Sequence, residues 1–151
     1  METTIPSFLL AEPSRDLVAS ARQEITREWW RRDHANFTVY ISDSVIEEAQ
    51  QGDSLAAHKR REFLDPFPIL ATTSDVERLA GRYVSERIVP PEKPRDAIHL
   101  ALASIHRMDI LCTWNLKHIA NPFSLRRLRV LNEKLGFFTS EVCTPEQLLG
   151  E

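Results

Sequence analysis

The chain has 151 residues, 42% hydrophobic and 27% charged, a length that predicts one domain, 1–151. A domain of about this size buries roughly 68–70% of its unfolded surface, so its core needs neither disulfides nor structural metal. With 19 basic and 22 acidic residues the net charge is −3, which excludes a uniformly basic nucleic-acid coat but leaves room for a local basic patch. No apolar run approaches the roughly 18 residues of a membrane span, and no basic start leads into an apolar stretch, so neither a membrane partner nor a secretory leader is expected. The two cysteines, Cys112 and Cys143, have apolar neighbours and no CxxC spacing, and read as reduced core thiols of a cytoplasmic protein. Four glycines and no GxGxxG or Walker pattern argue against a phosphate loop.

In chain order, Ile5–Leu10 reads as a short apolar turn. Ser14 then caps a long helix to about Asp33, with Leu17, Val18, Ala21, Ile25 and Trp29 as its buried stripe. Phe37–Ile41 is β-branched and aromatic and reads as a strand. Ser42 or Asp43 caps a short helix that Gly52 stops, and Ser54 to about Leu64 is a further helix. Phe67–Ala71 reads as a short strand, and Ser74 caps a helix that fades before Pro90-Pro91. Pro94 suits the first turn of a helix running to about Arg107, Asp109–Thr113 has the pattern of a buried strand, and Phe123–Leu135 is a basic helix. Thr144 caps a last turn, 145–149. Strands alternating with helices predict an α/β fold, a parallel sheet flanked by helices on both faces.

Three places are candidates for chemistry. Asp96 opens one of the most apolar helices, where an unpaired buried charge is costly. It reads either as a helix N-terminal acid met by backbone amides or by Arg95, or as a site carboxylate. On the 42–52 helix, 3.6 residues per turn place Glu48 beside the stripe of Val45, Ile46 and Ala49, whereas Glu47 points nearly opposite. Glu48 therefore reads as facing either a cleft or water. Asn115, in Thr113-Trp114-Asn115 directly after a buried strand, is either a turn residue or part of a site, since ligands of open α/β sheets bind beyond the carboxyl ends of the strands.

The run Glu2-Thr3-Thr4-Ile5-Pro6-Ser7, Ile41-Ser42 with Glu48, Asp96-Ala97-Ile98-His99-Leu100-Ala101-Leu102-Ala103 and Thr113-Trp114-Asn115 together resemble the PIN domain, and within it the VapC-like toxins of bacterial toxin–antitoxin pairs. The resemblance spans nearly the whole chain. It implies a single PIN-like domain, a metal-dependent endoribonuclease with Mg²⁺ or Mn²⁺, an RNA substrate, a cognate antitoxin and a homodimer. It assigns Glu2, Glu48, Asp96 and Asn115 as the catalytic set, the first three as metal ligands, and Thr4 as support for Glu2. His118, three residues beyond Asn115, is a further supporting candidate.

The chain departs from the family pattern at three points. Glu2 stands where aspartate is usual, Asn115 replaces an aspartate and removes one charge, and the central strand that normally precedes the first acid is missing or truncated. Phosphodiester cleavage needs charge stabilised on the attacking and leaving oxygens, and hard divalent cations held by carboxylates provide that. The runner-up is a PIN-like module that binds RNA or protein without cleaving; a third reading makes the acids helix caps only. His99 and His106 lack a zinc spacing and read as core or surface residues. Arg31-Arg32, Lys59-Arg60-Arg61 and Arg126-Arg127-Arg129 read as solvated helix faces, and Trp29, Trp30 and Trp114 as packing residues.

Overall fold

The computed structural model describes residues 1–150. Along the chain lie α1 (Thr4–Leu10), α2 (Leu17–Arg32), β1 (Ile41–Ser42), α3 (Asp43–Ala49), α4 (Ser54–Leu64), β2 (Ile69–Leu70), α5 (Ser74–Ser85), α6 (Pro94–Ile105), β3 (Ile110–Cys112), α7 (Pro122–Leu135) and β4 (Glu141–Cys143), with 3-10 turns at His34–Asn36 and Glu146–Leu148. The class is α/β. The strands form two short parallel pairs, β1 with β2 and β3 with β4. In the second pair Glu141 N–H donates to Asp109 O and Thr113 N–H to Cys143 O, so partner numbers rise together, as parallel strands require. Among the described residues no helix is long and apolar enough to cross a membrane.

The chain divides into two compact units, interleaved in sequence. The first comprises Met1–Ile69, Cys112–Trp114 and the chain from Cys143 onward. One apolar cluster of this unit gathers Ile5, Trp29, Cys112 and Trp114, and another Ile41, Val45, Ala49 and Leu64; Met1 packs against both. Residues 4–10, expected as a turn, are the helix α1, with Pro6 in its first turn, where its missing N–H costs nothing.

The long second helix begins at Leu17 rather than at Ser14. Asp16 is its cap, accepting from Ala19 N at 2.8 Å, while Ser14 Oγ accepts from Asp16 N. Its inward face also differs from the predicted stripe: Leu17 is 86% and Val18 59% exposed, and the buried residues are Gln23, Thr26 and Trp29. Polar bonds set this rotation. Gln23 accepts from Ser14 N at 2.9 Å and donates to Glu12 O at 3.0 Å, and Thr26 Oγ1 accepts from Trp114 Nε1 at 2.7 Å. Of the strand expected at 37–41 only Ile41 is extended with a partner, and Phe37 packs on Trp29 with ring centroids 6.1 Å apart.

The second unit comprises Leu70–Leu111 and Asn115–Val142. α5 packs on α6, and Val76, Leu79, Leu100, Ala101, Leu111 and Leu128 are among its core residues. A buried polar network crosses that core. Tyr83 OH donates to Asn132 Oδ1 at 2.8 Å and lies 3.2 Å from Ser104 Oγ, while Asn132 Nδ2 donates to Phe138 O at 3.0 Å. Gly136 (φ 75°) ends α7 in the left-handed region, which lets the chain turn toward β4. The sequence reading did not anticipate β4.

Tyr83→Phe removes the donor to a fully buried Asn132, which should cost about 1–3 kcal/mol of unfolding free energy in urea titrations. Burial raises the Tyr83 pKa above its ordinary value of 10.0. Above that value the unfolded chain therefore ionises first, and the wild type should lose stability with rising pH more steeply than Tyr83→Phe. Equal midpoints for the two proteins would show that the network does not hold α5 to α7.

Candidate metal centre

In the first unit the chain start is tied down by backbone. The Met1 amino group donates to Tyr40 O at 2.7 Å, and Glu2 N–H donates to Cys112 O at 3.0 Å. The amine is buried, which lowers its pKa below the usual 8.0. These two bonds position Glu2 beside the end of β3.

Glu2 is 4% exposed. Its Oε2 accepts three hydrogen bonds, from Thr4 N at 3.1 Å, Thr4 Oγ1 at 2.6 Å and Thr113 Oγ1 at 2.7 Å. Thr4 Oγ1 accepts in turn from Trp114 N at 2.8 Å. Because Trp114 N–H only donates, the Thr4 hydroxyl proton is directed to Glu2. Thr4 therefore holds Glu2 through both its backbone amide and its hydroxyl. Thr113 is the residue that the sequence reading missed as an individual contributor; the signal was a threonine at the end of a buried strand, two positions before Asn115.

Ser42 caps α3, its Oγ accepting from Val45 N at 3.2 Å, and this fixes the phase of the helix. Glu47 is exposed and Glu48 half-buried. A carboxylate oxygen of Glu48 lies within 4.8 Å of one of Glu2. Two carboxylate oxygens at that separation are spaced to ligate one divalent cation.

In the second unit Asp96 lies in the first turn of α6. Its Oδ1 accepts from Asn115 Nδ2 at 3.1 Å, and its Oδ2 is buried with no hydrogen-bond partner among the described residues. Neither a backbone amide nor Arg95 satisfies it. Asn115 Oδ1 accepts from His118 N at 3.1 Å, and Asn115 O accepts from Ile119 N and Ala120 N. Asn115 is thus both a turn residue and the neighbour of Asp96. His118 contributes its backbone amide to that turn, and its ring is half-buried. His99, one turn beyond Asp96 on α6, is buried at 4% exposure.

The donor set of each unit fits a hard divalent cation, by the paired carboxylates in one and the orphaned buried carboxylate oxygen in the other. The remaining sequence candidates have local roles. Trp29 and Trp114 are buried, and Trp30 stacks on His34 at 4.3 Å. Arg60 donates to the carbonyls of Ala49 and Gln51, and Arg127 to those of Arg87 and Glu86. Cys112 and Cys143 are in no disulfide among the described residues, and burial pushes the Cys112 thiol up to about 12. Comparison with protein families, with curated proteins and with solved structures found nothing that matches this chain.

Asn115→Asp places a carboxylate oxygen where the amide group now donates, 3.1 Å from Asp96 Oδ1. In metal-free buffer at neutral pH the lost bond should cost about 1–3 kcal/mol, or about 2–12 °C in melting temperature. The deficit should shrink toward acid pH, where the new pair shares a proton. An unchanged melting temperature at neutral pH would mean that Asp96 and Asn115 are not bonded in solution.

Proposed function

We propose that the protein is a metal-dependent endoribonuclease of the PIN-domain, VapC-like toxin type, hydrolysing RNA phosphodiester bonds with Mg²⁺ or Mn²⁺. The observation that carries this reading is the carboxylate pair Glu2–Glu48, within 4.8 Å and with Glu2 held by three donors. Two carboxylate oxygens brought this close offer a hard divalent cation two ligands from one place in the fold. In this reading Glu2, Glu48 and Asp96 are the metal ligands, and Asn115 positions Asp96 and takes the fourth place of the catalytic set. A bound divalent cation supplies charge stabilisation to the attacking and leaving oxygens of the phosphodiester. Thr4 and Thr113 keep Glu2 in place, and Ser42 sets the helix that presents Glu48. The same reading brings a single parallel sheet flanked by helices, an antitoxin partner, a homodimer and a cytoplasmic location.

One observation favours the second reading, a module that binds RNA or protein without cleaving it. Asn115 adds no charge, and its side-chain amide is bonded on both sides, to Asp96 and to the His118 amide. Labelled RNA incubated with the protein in Mn²⁺ and in EDTA separates the two. Cleavage in Mn²⁺ alone supports the nuclease, and binding without cleavage in either buffer supports the module.

Metal binding has its own readout. A cation that binds only the folded state stabilises it by about 2.7 kcal/mol at a hundredfold excess over Kd. For a chain of this size that raises the melting temperature by roughly 5–10 °C. The increment should largely vanish in Glu48→Gln and Asp96→Asn and persist in Glu47→Gln. Asp96→Asn can still accept from Asn115 through its own Oδ1 while losing a buried charge, so its metal-free melting temperature should hold or rise. A wild type indifferent to Mn²⁺ overturns the nuclease reading.

A further inference from the structure

Resting on the metal-centre reading above, we propose that Thr113, with Thr4, makes Glu2 a one-oxygen ligand, so that the centre selects a small divalent cation such as Mg²⁺ or Mn²⁺ over Ca²⁺. The hydrogen bonds to the Glu2 carboxylate converge on Oε2. Thr4 N, Thr4 Oγ1 and Thr113 Oγ1 all donate to that single atom, at 3.1, 2.6 and 2.7 Å. A carboxylate oxygen offers about two lone-pair directions, so three donors leave it none to share with a cation. Among the described residues the Glu2 carboxylate takes no further hydrogen bond or ion pair, so Oε1 is its remaining donor.

Ca²⁺ takes six to eight oxygens at about 2.3–2.6 Å and favours carboxylates that chelate with both oxygens. Mg²⁺ takes six at about 2.0–2.1 Å, keeps several waters, and is content with one oxygen from each of one or two carboxylates. Fixing Oε2 removes the chelating mode and penalises the larger ion. The Thr4 hydroxyl cannot rotate away without stranding Trp114 N–H, 2.8 Å distant. Thr113 is held as firmly, its backbone N–H donating to Cys143 O at 2.9 Å. The glutamate at position 2 fits this arrangement, because its extra methylene over aspartate lets Oε2 meet Thr113 while Oε1 stays outside the set of bonds.

The test is calorimetric titration of the wild type, Thr113→Val and Thr113→Ser with MnCl₂ and, separately, with CaCl₂. Valine keeps the shape and removes the donor, and serine keeps the donor. The wild type should bind Mn²⁺ more tightly than Ca²⁺. Thr113→Val should cut that preference on the order of tenfold, the equivalent of one charge-assisted hydrogen bond, and Thr113→Ser should restore it. A general loss of structure would weaken both ions alike and leave their ratio unchanged. If the wild type binds Mn²⁺ and Thr113→Val keeps the same Mn²⁺/Ca²⁺ ratio, the selectivity role is overturned and the metal centre stands. If the wild type binds neither ion, the metal-centre reading itself falls. Should Thr113→Val not fold, Glu2→Asp provides the same comparison, since the shorter side chain cannot keep the Thr113 bond and should also lower the ratio.

Discussion

A carboxylate taken out of water must be met by donors, and the first unit is arranged around meeting that of Glu2. Three donors converge on one oxygen, two from Thr4 and one from Thr113. The consequences spread outward from there. Thr4 is the first residue of α1, so the bond from its N–H to Glu2 also satisfies one of the amides that a helix start leaves open. With α1 begun at that point, Ile5 turns into the core against Trp29 and Trp114. Trp114, held through its backbone by Thr4, directs its indole N–H to Thr26 and so fixes which face of α2 is inward. Replacing Glu2 by a hydrophobic residue would leave the Thr4 and Thr113 hydroxyls without their acceptor and loosen each of these links.

The sequence showed what local rules decide. α4 and α7 are within a residue of where the periodicity puts them, α3 and α6 begin there, α5 begins at Ser74 with Thr73 rather than Ser74 as its cap, and the phase of α3 separates Glu48 from Glu47 by 3.6-residue geometry alone. What stayed hidden depends on partners far along the chain. Leu17 and Val18 have the right spacing for a buried stripe, but Gln23 binds the 12–14 segment and Thr26 binds Trp114, and these polar contacts outweigh two apolar side chains left in water. β4 is three residues long with Glu141 exposed, too short to show an alternation, and exists because β3 offers its edge. Phe37–Ile41 has the composition of a strand, yet a 3-10 turn precedes it and Phe37 joins an aromatic cluster instead.

The candidate site divides in the same way. The residue types at 48, 96 and 115 stand out in the sequence because each is chemically out of place: an acid beside an apolar stripe, an acid opening an apolar helix, an amide closing a strand; Glu2 enters only through the resemblance. Their bonds were not legible. Thr113 looked like an ordinary strand threonine, and only the 111 residues separating it from Glu2 explain why no local pattern reveals the contact. The choice between two roles for Asn115 had no answer in sequence, because its two amide ends do both at once.

Asp96 and Glu2 show opposite treatments of the same functional group. Every lone pair of Glu2 Oε2 is used, whereas Asp96 Oδ2 is enclosed with no hydrogen-bond donor among the described residues. An unmet buried acceptor costs about 1–3 kcal/mol, more when charged. That is a sizeable share of the roughly 5–15 kcal/mol that holds a domain folded. An asparagine at 96 would retain the bond from Asn115 and shed the charge, and an alanine would fit the apolar helix. The aspartate is therefore poorly explained by stability, and among the described residues no backbone amide meets its Oδ2. Strain of this kind persists where something outside the fold completes the bonding. An enclosed carboxylate oxygen of this kind is open to an ordered water, a cation or a donor delivered with a ligand.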